Sequence, residues 1–205
     1  MRASCRSGMA VVAVVLAGAL GSGCSGSSQP ATFPAEKVGA ATRYVALGGD
    51  DNLGSRRTFA DAWPQRVFRG ALPRGAVFVN VADSRSGIAE ILTDQVDEAI
   101  ALRPDIVTIT LVDDAERETA PDAVERDLTE VLERLRTARP KARVLVGTIP
   151  PGSSSPETAD GLDQAIRRAA ADRAVVVDLG AVDTSGPDLR NAAIAHAFAA
   201  ELGPA

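Results

Sequence analysis

Aromatic residues and cysteines are scarce in this chain of 205 residues, and positive charge does not predominate. Aromatics make up only 3% of the sequence, so the core must be built mostly from Ala, Val, Leu and Ile. The two cysteines, Cys5 and Cys24, both lie near the N-terminus, which excludes a disulfide framework in the folded part. A net charge of -5 argues against nucleic acid as the main partner, because phosphate binding requires clustered Lys and Arg. The remaining composition, 45% hydrophobic and 24% charged, is that of one ordinary globular domain.

The first residues have the pattern of an export signal. Arg2 and Arg6 precede an apolar run over Met9–Leu20, which is shorter than the ~20 residues that span a bilayer. Small residues then lead into Cys24, and this junction resembles the lipobox of bacterial lipoproteins, in which the cysteine carries the lipid anchor. The alternative is a simple secretory signal in which Cys24 has no role. On the lipoprotein interpretation the protein is exported and held by lipid on the outer face of the cytoplasmic membrane or cell envelope. The predicted divisions are a signal peptide at 1–23, a flexible Ser-, Gly- and Pro-rich tether at 24–41, and a domain at 42–205.

Five continuous apolar runs predict buried strands, because strands covered on both faces do not alternate with polar residues. Apolar stripes of helical period separate the runs, one of them from Ile88 to Ile100 and another from Val124 to Leu135. Further stripes run from Leu162 to Ala169 and from Ile194 to Leu202. Strands that alternate with helices predict a three-layer α/β domain around a parallel sheet. The predicted strands are 44–47, 76–81, 105–112, 143–148 and 174–179.

Acidic residues follow the first and third predicted strands. Asp50 and Asp51 come after the first strand, and Asp113 and Asp114 come at the end of the third. These two strands are expected to be neighbours, and ligands bind at the C-terminal strand ends of such sheets. Four carboxylates there would repel one another and raise at least one pKa. Three arrangements stay open: a bound Mg²⁺ or Ca²⁺ ion, a salt bridge from Arg85 to Asp50 or Asp114, or two of the four carboxylates pointing to solvent.

Several stretches together resemble the SGNH (GDSL-type) hydrolases, in their secreted bacterial branch. The resemblance covers about residues 42 to 202 and implies a flavodoxin-like, three-layer fold. The similar stretches are Tyr44–Gly48, Phe78–Asn80, Ala101–Thr108, Val144–Pro151, Val175–Leu179 and Ala192–Leu202.

The resemblance implies acyl transfer by a nucleophilic serine, a histidine base, and an oxyanion hole that includes a loop glycine and an asparagine. This sequence departs from that set. The nucleophile position falls at Asp50, or at Asp51 if the turn is shifted, and the glycine position falls at Arg85. The asparagine position falls at Asp114, and the histidine position falls near Ser185, which Asp183 precedes. The single histidine, His196, is expected on the surface of the last helix.

Other serines near the site, Ser55, Ser84 and Ser86, have no histidine to act as their base. We therefore expect a catalytically degenerate protein that binds a small molecule, a glycan or another protein in the former cleft. The alternative is an esterase of cell-envelope esters that uses non-standard residues, such as an Asp50 nucleophile. No cofactor is expected, apart from the divalent cation already considered. The membrane is expected as a partner through the Cys24 lipid.

Overall fold

The computed structural model of the protein describes residues 41–54 and 59–203, all of them in the compact unit Val38–Ala205. Five parallel strands form one sheet in the order β2-β1-β3-β4-β5. The first and third strands are therefore adjacent, as the sequence predicts, and both deliver their C-terminal ends to one edge of the sheet. The strands are β1 (Arg43–Leu47), β2 (Val77–Asn80), β3 (Ile106–Ile109), β4 (Arg143–Gly147) and β5 (Val175–Val177).

Eight α-helical segments are found in the described part of the chain, together with a short 3₁₀ turn over Phe59–Asp61. A π-helical turn, Ile91–Gln95, joins the third and fourth of them into one continuous helical run. The segments are α1 (Asp50–Leu53), α2 (Trp63–Ala71), α3 (Ile88–Glu90), α4 (Val96–Ala101), α5 (Val112–Glu116), α6 (Pro121–Ala138), α7 (Pro156–Ala170) and α8 (Pro187–Leu202).

The helices cover both faces of the sheet, which gives three layers. One face buries Val45, Val107 and Val146 of the strands against α3, α4, α6 and α7. The other face buries Tyr44 and Leu145 against α2 and α8. On that second side the rings of Trp63 and Phe198 stack with centroids 4.5 Å apart, so two of the few aromatic residues join α2 to α8. This is the predicted α/β architecture.

The structure corrects the third strand. The apolar run 105–112 predicts a strand through Val112, but β3 ends at Ile109 and Val112 begins α5. Apolar residues are as suitable for a buried helical turn as for a strand, so a short run does not separate the two. The correction matters because it places Asp113 and Asp114 in the first turn of a helix.

The segments α1, α2 and α5 were not predicted individually, although each lies in an interval where a crossover helix is expected. None of the helices in the described part of the chain combines the length and the apolar character that a membrane span requires. The predicted signal peptide and nearly all of the tether lie outside the described residues.

Candidate functional site

The turn after β1 depends on two glycines and a buried glutamine. Gly48 has φ +150°, where side chains are strained, and a Cβ at Gly49 would overlap the Asp113 carboxylate and lie 2.7 Å from the Ser86 carbonyl oxygen. The Gln95 side chain donates to the Gly48 carbonyl (2.9 Å) and accepts from the Gly48 N–H (3.0 Å). Gln95 ends the π turn, a distortion that is frequent at functional sites. The glycine requirement at 48 and 49 and the hydrogen bonds from Gln95 together fix the place where α1 begins.

Asp50, to which the resemblance assigns the nucleophile position, is the first residue of α1. Its Oδ1 accepts hydrogen bonds from the Ser84 hydroxyl (2.7 Å) and from the Arg85 backbone N–H (3.2 Å). Arg85 has φ +56°, a left-handed conformation that glycine adopts more easily. Arg85 thus has a backbone conformation typical of glycine, and its N–H is directed at the Asp50 carboxylate.

Asp113 and Asp114 are adjacent in sequence but bind the starts of two different helices. Asp113 Oδ2 accepts the N–H of Asp50 (3.0 Å), and Asp114 Oδ2 accepts the N–H of Ile88 (2.8 Å). The expected asparagine position is Asp114, but it is Asp113 that lies beside Asp50, while Asp114 faces α3. Burial, followed by the Asp50 charge, raises the pKa of Asp113 to about 6. Burial also raises the pKa of Asp114 to about 6, against the hydrogen bond from Ile88.

Asp51 forms a buried ion pair with Arg190 of α8. Asp51 Oδ1 lies 3.5 Å from Arg190 Nε, and the two side chains are 8% and 22% exposed. Arg190 also donates to the Ser153 hydroxyl (3.0 Å). Burial raises the pKa of Asp51, and the Arg190 charge opposes that shift. The Trp63 indole N–H also lowers the pKa of Asp51, although the two groups do not reach hydrogen-bond geometry.

These residues surround a cavity of about 650 Å³ at the C-terminal ends of β1 and β3. Its lining carries four carboxylates against one guanidinium, together with apolar surface from Leu53, Val112 and Pro187. The carboxylates belong to Asp50, Asp51, Asp113 and Glu116, and the guanidinium belongs to Arg190.

The described residues can be compared with the two charge-neutralising arrangements considered from the sequence. The ion pairs of the described residues do not include the Arg85 guanidinium, since Arg85 reaches Asp50 through its backbone N–H instead. In the same part of the chain, no three His, Cys, Asp or Glu side chains are grouped so as to hold a metal ion. The helical turn of α5 explains this, because it directs Asp114 away from Asp50 and toward α3.

Asp183 and Ser185 form a local turn rather than part of the cavity wall. The hydroxyl and backbone N–H of Ser185 both donate to Asp183 Oδ1, at 2.6 and 2.8 Å. His196 is exposed on α8, as expected. Ser86 is buried, and Ser55 lies outside the described residues.

Sequence reasoning missed Gln95 and Arg190 as site residues. Both are polar residues at positions of an apolar helical stripe: Gln95 lies four residues after Ile91, and Arg190 lies four residues before Ile194. That spacing places each of them on the buried face of its helix. A polar side chain in such a stripe needs a partner, and this signal would have identified both.

Comparison with known proteins agrees with this architecture. The family model of GDSL-like lipases and acylhydrolases matches residues 38–199. An acetylxylan esterase from Geobacillus stearothermophilus superimposes with a TM-score of 0.65 at 16% identity, over 82% of this chain and 97% of that one. An α/β-hydrolase from the metagenome of Lake Arreo, Spain, superimposes with a TM-score of 0.64 at 19% identity, over 80% of this chain and 97% of that one. A member of the lipolytic G-D-S-L family from Veillonella parvula superimposes with a TM-score of 0.60 at 12% identity, over 77% of this chain and 96% of that one. No curated protein shows significant sequence similarity to the chain.

Proposed function

The chain belongs to the GDSL-like lipase/acylhydrolase family, and we propose that it is an exported, lipid-anchored member whose cavity binds a ligand without hydrolysing esters. The observation that carries the proposal is the set of hydrogen bonds accepted by the Asp50 carboxylate, to which the resemblance assigns the nucleophile position. Asp50 already accepts hydrogen bonds from the Ser84 hydroxyl and from the Arg85 N–H. The resemblance assigns the loop position of Arg85 to the oxyanion hole. The chain's own carboxylate therefore occupies donors that would otherwise polarise a substrate carbonyl.

Electrostatics disfavours acyl transfer at this position. The tetrahedral intermediate carries a negative oxygen, which would form beside the Asp50 carboxylate and close to Asp113. Two unit charges about 4 Å apart at an effective dielectric of about 20 repel by about 4 kcal/mol. That energy corresponds to about a thousandfold in rate. Asp113 adds to the effect, because an ionised carboxylate accepts hydrogen bonds and cannot donate one to the intermediate.

The chain also lacks a base for the family mechanism. Its single histidine, His196, is exposed on α8 and is not among the residues that line the cavity. The expected histidine position near Ser185 holds the local turn with Asp183. A serine nucleophile of the usual kind would therefore have no imidazole to take its proton.

One contact favours the alternative of a non-standard hydrolase. The Ser84 hydroxyl donates to Asp50 Oδ1 at 2.7 Å, within the distance for proton transfer to a general base. In that mechanism Ser84 Oγ would attack the acyl carbon while Asp50 takes the hydroxyl proton. Asp50 would return the proton to the leaving alkoxide, and water would then cleave the acyl-serine.

A serine-reactive fluorophosphonate probe separates the two candidates. We expect no labelling of the purified protein, and no hydrolysis of p-nitrophenyl acetate or acetylated xylan above a heat-denatured control. Acetylated xylan is included because one of the structural relatives is an acetylxylan esterase. Labelling that disappears in Ser84→Ala and Asp50→Asn but persists in the control Ser154→Ala would replace the binding proposal with the Ser84 mechanism.

A further inference from the structure

The end of the sheet opposite the cavity carries positive charge, although the net charge of the chain is -5. Because all five strands are parallel, the segments that lead into them meet at this end. The segments are 41–43, 72–76, 102–105, 139–143 and 171–174, and they hold seven Arg and Lys residues against two Asp residues. Glu201, in the last turn of α8 at the same end, is the third acidic residue. This surface, called the basic end, is therefore clearly cationic.

Three of the seven cations have partners within the fold. Arg139 lies 3.8 Å from Asp105, and Arg173 lies 3.2 Å from Glu133. Arg143 donates to the last carbonyls of α8. In the described part of the chain, the side chains of the other four cations make neither a hydrogen bond nor an ion pair, and all four residues are exposed: Arg43, Arg74, Arg103 and Lys141. They lie at the starts of four neighbouring strands, which together span about 15 Å at about 4.8 Å per strand.

The chain enters the domain at this same end, which is an independent observation. Its described part begins at Ala41, and the Thr42 carbonyl accepts the N–H of Val77 at the start of β2 (2.8 Å). Sixteen residues, 25–40, separate Cys24 from Ala41, and a chain of that length reaches at most roughly 58 Å. Its two charged residues, Glu36 and Lys37, cancel each other. A lipid at Cys24 would therefore keep the basic end close to the bilayer surface.

Phospholipid headgroups match the basic end in charge and in chemistry. Each Lys or Arg near an anionic membrane surface strengthens binding by about fivefold. Three of the four free cations are arginines, whose guanidinium groups bind phosphate oxygens through two hydrogen bonds at once. A lipid anchor also raises the local concentration of headgroups, so contacts too weak to hold a free protein are sufficient. The place where the chain enters favours a membrane over nucleic acid, which has no reason to lie beside the anchor.

We propose that the basic end binds anionic phospholipid headgroups and that the cavity consequently faces away from the membrane. The strands run from the basic end to the cavity, so the two surfaces lie at opposite ends of the sheet. The inference rests on the proposed lipid anchor and adds the orientation of the anchored domain. It implies that a ligand reaches the cavity from the aqueous side and not from the bilayer.

Cosedimentation of residues 25–205 with phospholipid vesicles tests the proposal in the absence of the lipid. This form contains the whole compact unit Val38–Ala205 and every described strand and helix, and a cooperative urea transition verifies that it is folded. We expect binding to vesicles of phosphatidylglycerol and phosphatidylcholine in equal parts, and none to phosphatidylcholine alone. Binding should be lost in about 0.5 M NaCl, where the Debye length falls to about 4 Å.

Paired substitutions locate the binding surface. Arg74→Gln together with Lys141→Gln should weaken binding to the anionic vesicles by about 25-fold, which is about fivefold for each cation. The matched control is Arg117→Gln together with Arg126→Gln, which removes the same charge from arginines outside the basic end, each paired with a carboxylate. The control should bind like the unmodified form.

A fluorescent label gives a second readout, which reports orientation. Residues 25–205 contain no cysteine, because Cys5 and Cys24 are the only two in the chain. Ala101→Cys places a label at the basic end, on an exposed residue at the end of α4, and Ala181→Cys places one beyond the end of β5, at the other end of the sheet. With an environment-sensitive dye, the emission of the label at 101 should shift to shorter wavelength on anionic vesicles, whereas that of the label at 181 should not.

Four results would overturn the inference: no binding to anionic vesicles at low salt, equal loss of binding in the two paired variants, a spectral shift of the label at 181 rather than at 101, or equally tight binding of a DNA duplex. None of these results bears on the lipid at Cys24 or on ester hydrolysis. Failure of the membrane contact is therefore distinguishable from failure of the proposed function, because membrane fractionation of Cys24→Ser and the fluorophosphonate probe test that function separately.

Discussion

Replacing Asp113 or Asp114 by asparagine should change how the stability of the protein depends on pH. In each case burial raises the carboxyl pKa from 3.8 to about 6. A shift of about 2 pKa units corresponds to about 3 kcal/mol per group between the two protonation states. Asparagine retains an oxygen that can accept the N–H of Asp50 or Ile88, so the substitution removes the titration while keeping the hydrogen bond.

The sign follows from proton binding. A carboxyl whose pKa is higher in the folded state binds its proton more tightly there, so its contribution to stability is complete below the unfolded pKa. That contribution is lost as the pH rises through the folded value of about 6. From pH 5 to pH 7.5 each group should therefore lower the free energy of unfolding by about 1.4 kcal/mol. The two groups are neighbours, so the combined effect need not be the sum.

Urea denaturation at pH 5, 6 and 7.5 measures this dependence. The unmodified protein should lose stability toward pH 7.5, and each asparagine variant should have a shallower slope and greater stability at pH 7.5. Burial also raises the pKa values of Asp51 and Asp163, which leaves a residual slope of the same sign in a variant that carries both Asp113→Asn and Asp114→Asn. Glu90 acts in the opposite direction, because hydrogen bonds and Arg117 lower its pKa. The assignment of buried, ionised carboxyls at both positions would be refuted if the free energy of unfolding of the unmodified protein did not change with pH. It would also be refuted if the variants showed the same dependence on pH as the unmodified protein.

Two further predictions concern the anchor and the turn after β1. If Cys24 carries a lipid, Cys24→Ser should release the protein from the membrane fraction and block maturation, as seen by fractionation and mass spectrometry; unchanged fractionation and processed mass would refute the lipobox interpretation. Gly49→Ala should destabilise the protein by about 2 kcal/mol or more, because the new Cβ would overlap the Asp113 carboxylate. Its control, Gly70→Ala in α2, meets no atom within 4 Å and should be neutral or slightly stabilising in the same urea experiment.

Most of the fold could be predicted from the sequence because its elements are marked by long hydrophobic patterns. The stripe from Val124 to Leu135 lies between Pro121 and Pro140, and the observed helix α6 begins at Pro121 and ends at Ala138. Elements of four or five residues, such as α1 and α5, are too short to show a period. For that reason the end of β3 was predicted three residues too late.

That error also explains why the acidic cluster differs from its prediction. In an irregular loop after the strand, the directions of Asp113 and Asp114 would not be fixed relative to each other, so the sequence analysis allowed both to face Asp50. Successive residues of a helix are separated by about 100° around its axis, so the two carboxylates in α5 point to different neighbours. The backbone contact of Arg85 was not predicted either, because a left-handed conformation at this residue brings its N–H, rather than its side chain, to Asp50.

The Asp113 carboxylate supports the start of α1 and also brings charge to the cavity, and the two roles can be tested independently. Oδ2 accepts the N–H of Asp50 in place of a local N-cap, which Gly49 cannot provide because it has no side chain. Only Oδ1 is left for the cavity. An asparagine at this position keeps the first role through its own oxygen, but it removes the charge on which the second depends. Asp113→Asn should therefore keep the start of α1 while becoming more stable at pH 7.5. A loss of stability at every pH would show instead that the carboxylate itself is needed at the start of α1. An equal gain in Glu98→Gln, which removes the same charge from an exposed residue of α4, would reduce the effect to net charge.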